Sequence, residues 1–152
     1  MSSEVVSGQS YRITNVKAGN ALDLSGVDNR SIIGYPYHGG MNQQWTFTWE
    51  GDAWSIRSVS SSKYLGIDGN PNNGTKLVAD TQMFKWHIWR DAMDENNFRI
   101  FVPNTHQNVD LSNHGDPTPG NPIIIWSTWS GVHQTWKIER RMSLPYSIFV
   151  LF

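Results

Sequence analysis

The chain is 152 residues long with eight Trp, no Cys and a formal net charge of −1, enough length for one domain with a sizeable core. Its charges are balanced and form no run of one sign, which excludes the basic face of a nucleic-acid binder, and no apolar stretch is long enough to insert across a bilayer. The N-terminus lacks a basic, apolar, cleavable leader pattern, and with cysteine absent as well a cytoplasmic protein is expected. Abundant Gly, Asn and Ser beside the Trp read as short strands joined by tight turns, with the aromatics filling the centre.

Taken in order, the apolar segments repeat. Tyr11-Arg12-Ile13 opens a first copy, followed by Leu22-Asp23-Leu24, Ile32-Ile33 and a closing Trp45-Thr46-Phe47. A turn at Glu50-Gly51-Asp52 leads to Trp54-Ser55-Ile56, Leu65-Gly66-Ile67, Leu77-Val78 and Trp86-His87-Ile88. After Asp94-Glu95-Asn96-Asn97 the third copy reads Phe98-Arg99-Ile100, Val109-Asp110-Leu111, Ile124-Ile125 and Trp136-Lys137-Ile138. The copies start 43 and 44 residues apart, and their alternation gives twelve short strands. Met83, Trp86, Trp89, Arg90 and Met93 could mark one helix face, but the repeat accounts for them better as strand and turn. No copy can bury its apolar face alone, so three share one core. The expectation is an all-β, pseudo-three-fold domain over 1–152, with copies at about 8–50, 51–95 and 96–139. The tail, 140–152, is strongly apolar; it either pairs with the N-terminal strand or offers an edge that joins two chains as a homodimer.

Two copies end on Gln43-Gln44-Trp45 and Gln134-Thr135-Trp136, and both carry Asp in the second strand. These Gln-x-Trp and Asp positions, in register within a triplication, resemble the ricin-B-like β-trefoil lectins from about residue 8 to 139, and the short cysteine-free form is similar to the small mushroom lectins of that family. The second copy departs, with Phe84-Lys85-Trp86 in place of Gln-x-Trp. The resemblance implies a six-stranded barrel capped by hairpins. It also implies shallow sites for terminal galactose or N-acetylgalactosamine on glycans or glycoproteins, a defence role, and neither cofactor nor metal.

A hexose offers hydroxyls on its rim and C–H groups on one face. A carboxylate accepts two hydroxyls with charge assistance, an aromatic ring covers the C–H patch, and an amide both donates and accepts. In the first copy the resemblance assigns these roles to Asp23, Tyr35 and Asn42, with His38 as a further donor in the loop Pro36-Tyr37-His38-Gly39-Gly40. Tyr35 and Tyr37 compete for the stacking position, and the glycines are expected to let backbone approach the ligand. Gln43 reads as structural. In the third copy Asp110, Trp126, Trp129 and His133 form a second candidate carbohydrate site, either working or decayed, because His133 stands where Asn is expected. Gly66, Met83 and Phe84 leave the second copy to packing, although Asp80 falls near the aromatic position.

An enzyme is not expected. The five His are scattered singly without zinc spacing, and no Gly-x-Ser-x-Gly elbow or thiol is present. Gly69 to Lys76 imitates a phosphate loop but ends in the wrong order and reads as a hairpin turn. The rival reading is a trefoil protease inhibitor using a protruding Asp116-Pro117-Thr118-Pro119 loop, its prolines lowering the ordering cost of binding.

Overall fold

The computed structural model describes residues 4–140; residues 1–3 and the apolar tail from 141 onward, on which the two tail readings rest, lie outside the described residues. The first copy holds β1 (Gln9–Asn15), β2 (Ala21–Leu24), β3 (Ile32–Tyr35) and β4 (Trp45–Trp49). The second holds β5 (Trp54–Ser58), β6 (Tyr64–Ile67), β7 (Leu77–Asp80) and β8 (Lys85–Arg90), and the third β9 (Phe98–Phe101), β10 (Gln107–Leu111), β11 (Asn121–Ser127) and β12 (Trp136–Arg140). The Met83–Met93 stretch is therefore strand and turn.

Six strands close on themselves, all antiparallel: β1 pairs β4, β4 pairs β5, β5 pairs β8, β8 pairs β9, β9 pairs β12 and β12 returns to β1. Closure leaves the barrel without an exposed edge. The other six strands form three hairpins, β2–β3, β6–β7 and β10–β11. Short bridges join them in a triangle: Gly34 to Asn121, Ser31 to Val78 and Lys76 to Ile124. Gly34 is needed there, since a Cβ would lie 2.9 Å from Leu111 Cδ1. The fold is a β-trefoil.

The register is set by apolar pairs repeated around the axis, Ile13 with Ile138, Phe47 with Ile56 and Ile88 with Ile100. Trp45, Trp86 and Trp136 are fully buried, one per copy. Each indole N–H donates to a backbone carbonyl at the base of its hairpin, Leu22, Leu65 or Val109, at 3.0, 2.9 and 3.0 Å. Trp54 packs against this core, but four of the eight Trp do not fill the centre as composition suggested: Trp49, Trp89, Trp126 and Trp129 are exposed. The outward-facing positions of short strands and the loops between them still accept large rings.

The indole bond is testable where no candidate site depends on it. Trp86→Phe leaves the Leu65 carbonyl unpaired and a smaller ring in the core. The cost should be about 2 kcal/mol. It is measured by the shift of a urea midpoint; an unchanged midpoint would show the bond to be dispensable.

Candidate functional site

Strand β2 is buried along its whole length, so Asp23 enters the protein as a carboxylate only 3% exposed. A buried charge needs donors. Gln43, at the end of the 3₁₀ turn Met41–Gln43, supplies one: its Nε2 donates to Asp23 Oδ2 at 2.8 Å and to the Pro36 carbonyl at 3.0 Å. Its Oε1 accepts the His38 backbone N–H at 2.9 Å. One glutamine side chain thus holds both the carboxylate and the loop beside it.

His38 Nδ1 accepts the Gly40 N–H at 3.0 Å, which leaves Nε2 to carry the ring proton, 3.8 Å from Asp23 Oδ2. Asn42 donates from Nδ2 to the Leu24 carbonyl at 3.2 Å. Tyr35 closes the far side, 41% exposed, its ring 6.1 Å from that of His38. Asp23, Tyr35, His38 and Asn42 line one concavity of about 310 Å³. Tyr37 does not line it; its ring lies under the Arg12 guanidinium at 4.8 Å, which decides between the two tyrosines. Burial pushes the Asp23 carboxyl above its ordinary value of 3.8, against the Gln43, His38 and Asn42 interactions that lower it.

The third copy repeats the frame. Gln134 Nε2 donates to Asp110 Oδ2 at 2.9 Å and to the Ser127 carbonyl at 3.0 Å, and its Oε1 accepts the Trp129 N–H at 3.0 Å. Arg99 adds a donor to the same Oε1 at 3.1 Å and is itself paired with Asp91 at 2.8 Å, both buried. Asp110, Trp126, Trp129 and His133 line a concavity of about 610 Å³, larger than the first. His133 is buried, with Nε2 at 3.3 Å from Asp110 Oδ2. Burial lowers the His133 pKa and raises that of Asp110.

His114 joins this site although the sequence reading passed over it. Asn113, His114 and Gly115 adopt successive left-handed conformations, with φ of 54°, 54° and 79°. That turn carries the His114 ring to 5.7 Å from His133 and 6.1 Å from Trp129. Two imidazoles distant in sequence therefore meet, and only the His114-Gly115 turn hinted at it. Among the described residues no group of three or more His, Asp or Glu is placed to hold a metal ion.

Two loop glycines are also required by their side-chain neighbours. A Cβ on Gly40 would lie 2.6 Å from His38 Cε1 and 2.7 Å from Asn42 Oδ1. On Gly131, at the equivalent place, it would lie 2.5 Å from His133 Cε1 and 2.9 Å from Trp129 Cζ2. Both glycines make room for the side chains that line the concavities. In the second copy Gly66 stands under Phe84, whose Cβ would be 3.2 Å from an added Cβ, so an apolar contact occupies the place of the carboxylate–amide pair. Asp80 is exposed and accepts the Gln82 N–H at 3.1 Å, a turn-capping role.

A closed trefoil with a glutamine-braced carboxylate in two of three copies defines a carbohydrate-binding lectin fold, and the chain belongs to the ricin-type β-trefoil lectin domain-like family, which matches residues 3–79 and 41–126. It is similar to the Macrolepiota procera ricin B-like lectin, solved in complex with lactose, at 63% identity over 91% of this chain and 100% of that one, with a TM-score of 0.91. The Rhizoctonia solani agglutinin is 25% identical over 92% of this chain and all of that one, with a TM-score of 0.82. A designed three-fold symmetric protein, ThreeFoil, shares the fold at 22% identity, over 87% of this chain and 99% of that one, with a TM-score of 0.79. No curated protein sequence matches the chain.

The braced pair can be tested in the copy that lacks it. Gly66→Asp should destabilise by about 3 kcal/mol, because the new carboxylate is crowded and has no amide. Adding Phe84→Gln should recover at least half of that loss. A double variant no more stable than the single one, in urea titrations, would mean that the glutamine is not what makes the buried carboxylate tolerable.

Proposed function

We propose that the protein binds glycans ending in galactose or N-acetylgalactosamine, first through Asp23, Tyr35, His38 and Asn42 and second through the third-copy concavity. The observation that carries this reading is the Asp23 carboxylate, buried on a strand, held at Oδ2 by Gln43, and bordering a concavity with a free ring and an amide on its rim. Such a group offers strong acceptors to two neighbouring hydroxyls and does not have to be ordered when the sugar arrives. Lactose ends in galactose, and the Macrolepiota procera lectin, 63% identical, is the one solved with lactose. A shallow concavity gives weak single-site binding, so useful avidity comes from two working copies on one body or from pairing of chains.

Two further observations bear on the rival activities. The Asp116–Pro119 loop is anchored, with the Pro117 carbonyl accepting from Asn20 at 2.9 Å and the Asp116 carbonyl from Asn121 at 3.0 Å, while Pro117, Thr118 and Pro119 stay exposed, so what favours a lectin over an inhibitor is the Asp23–Gln43 pair, for which an inhibitor has no use. Asp23 and Asp110 line separate concavities, so they do not form the close carboxylate pair of a glycosidase. The second observation favours binding without catalysis, on glycans outside any nucleic acid or membrane interior.

Asp23→Asn tests the first site. Because the fold raises the Asp23 pKa, the ionised form is the one that folding disfavours, and neutralising it should leave stability unchanged or slightly higher. Binding to immobilised lactose should nevertheless fall at least ten-fold; undiminished retention would remove Asp23 from the site.

A pH series gives an independent check. A protonated carboxyl no longer accepts two hydroxyls, so affinity should fall as pH drops, and the fall should begin above pH 3.8, the ordinary value, because burial raises this group. Full affinity retained down to pH 3.8, in protein still folded by circular dichroism, would contradict that role.

A further inference from the structure

The two concavities share a frame but not a rim. Counting back from the bracing glutamine by eight, five and one residues gives Tyr35, His38 and Asn42 in the first copy and Trp126, Trp129 and His133 in the third. The third rim has therefore lost a phenol hydroxyl and an amide, both readers of sugar hydroxyls. It has gained indole surface, with Trp126 42% and Trp129 47% exposed, and the His114 ring packs edge-on against Trp129.

Charge changes the ligand that such a rim suits. The face of an indole is the negative pole of its quadrupole and attracts cations. Asp110 supplies a full negative charge beside it, and no hydrogen bond among the described residues reaches its Oδ1. Burial disfavours protonation of His133, so that ring adds little positive charge of its own. Lys17 stands at the edge of this site, its exposed ammonium donating to the His114 carbonyl; its charge reaches His133 and helps keep that ring unprotonated, and it is the charge an incoming ammonium has to tolerate. Arg99 lies behind Gln134 and is neutralised by Asp91.

We propose that the third-copy concavity selects a hexosamine residue whose amino group is free and protonated, the ammonium on Asp110 and the sugar's C–H face against Trp126 and Trp129. The proposal rests on reading this concavity as a sugar site. Acetylation of the amine removes the charge, so an N-acetylated hexosamine is the wrong ligand here.

The test uses the full-length Asp23→Asn protein, which leaves the third concavity as the remaining candidate, titrated with galactosamine, galactose and N-acetylgalactosamine at pH 7 and low salt, with tryptophan fluorescence or calorimetry as the readout. Galactosamine should bind about ten-fold more tightly than either neutral sugar, and the margin should shrink as salt is added. Adding Asp110→Asn should abolish the margin, whereas Trp129→Ala, on the exposed rim, should weaken all three sugars alike. Equal binding of galactose and galactosamine overturns the selectivity while keeping the concavity a sugar site. Binding of none of the three overturns the sugar reading of this copy as well. A galactosamine preference that survives Asp110→Asn places the cation elsewhere and also overturns the proposal.

Discussion

The Trp45 indole donates to the carbonyl of Leu22 while the Gln43 amide, two residues earlier, donates to the carboxylate of Asp23, the very next residue on the same strand. Trp136 and Gln134 repeat this on Val109 and Asp110. Each glutamine ends a 3₁₀ turn and each tryptophan opens the strand that follows, so one short segment both plugs the core and grips the strand that carries the carboxylate. The consequence is that packing and recognition are not separable in these copies. Burying the indole sets where β4 or β12 sits, that sets where the amide points, and the amide sets which carboxylate oxygen is occupied. Oδ2 is taken up inside the protein at both carboxylates, an arrangement made by the core before any ligand arrives.

Such a carboxylate is a liability for folding. Burial raises the pKa of both Asp23 and Asp110, so the environment opposes the charged form that would bind hydroxyls. The second copy shows the alternative that stability alone would favour. There the carboxylate and the amide are both gone, replaced together by Gly66 and Phe84, and the Phe84 ring packs 4.9 Å from Trp86. Replacing both partners of a buried polar pair by apolar groups is close to neutral, whereas losing one of them is not. The Trp bond to the hairpin carbonyl is retained in that copy at 2.9 Å. The indole therefore belongs to the fold in all three copies, and the carboxylate–amide pair is an addition the fold can do without.

The strands were legible because each is written three times. Leu22-Asp23-Leu24, Leu65-Gly66-Ile67 and Val109-Asp110-Leu111 are individually too short to assign, but agreement among copies removes the ambiguity, and all three are strands. The second strands place Asp23 and Asp110 and the Gln-x-Trp spacing places Asn42 and His133, and the fold brings Asp23 to one concavity with Asn42 and Asp110 to another with His133. What stayed hidden depends on side-chain contacts within a copy or on backbone handedness, for which one sequence carries little signal. His114 reaches the third concavity through a left-handed turn, a conformation few residues other than glycine adopt and one that strand spacing does not announce. Tyr37 leaves the first concavity because Arg12, from a strand far away in sequence, covers its ring. The roles of Gly40 and Gly131 are defined by the neighbours a methyl group would strike, which no spacing rule displays.

The division between frame and rim also explains how two copies of one site can diverge without endangering the protein. Gln43 and Gln134 are wholly buried and each makes three hydrogen bonds or more, so substitution there would free a buried carboxylate and a loop together. The residues five positions before each glutamine bond to it through their backbone N–H, donated by His38 in one copy and Trp129 in the other. Any residue except proline supplies that N–H, which leaves the side chain free to change from imidazole to indole. The residue immediately before the glutamine is less free, because the room it needs is made by Gly40 or Gly131, and its side chain must remain flat or short to use that room. Asn42 and His133 both meet that condition while presenting different chemistry to a ligand. Variation in what is recognised thus concentrates at positions where the backbone does the structural work, and the carboxylate beneath them stays where the tryptophan core has put it.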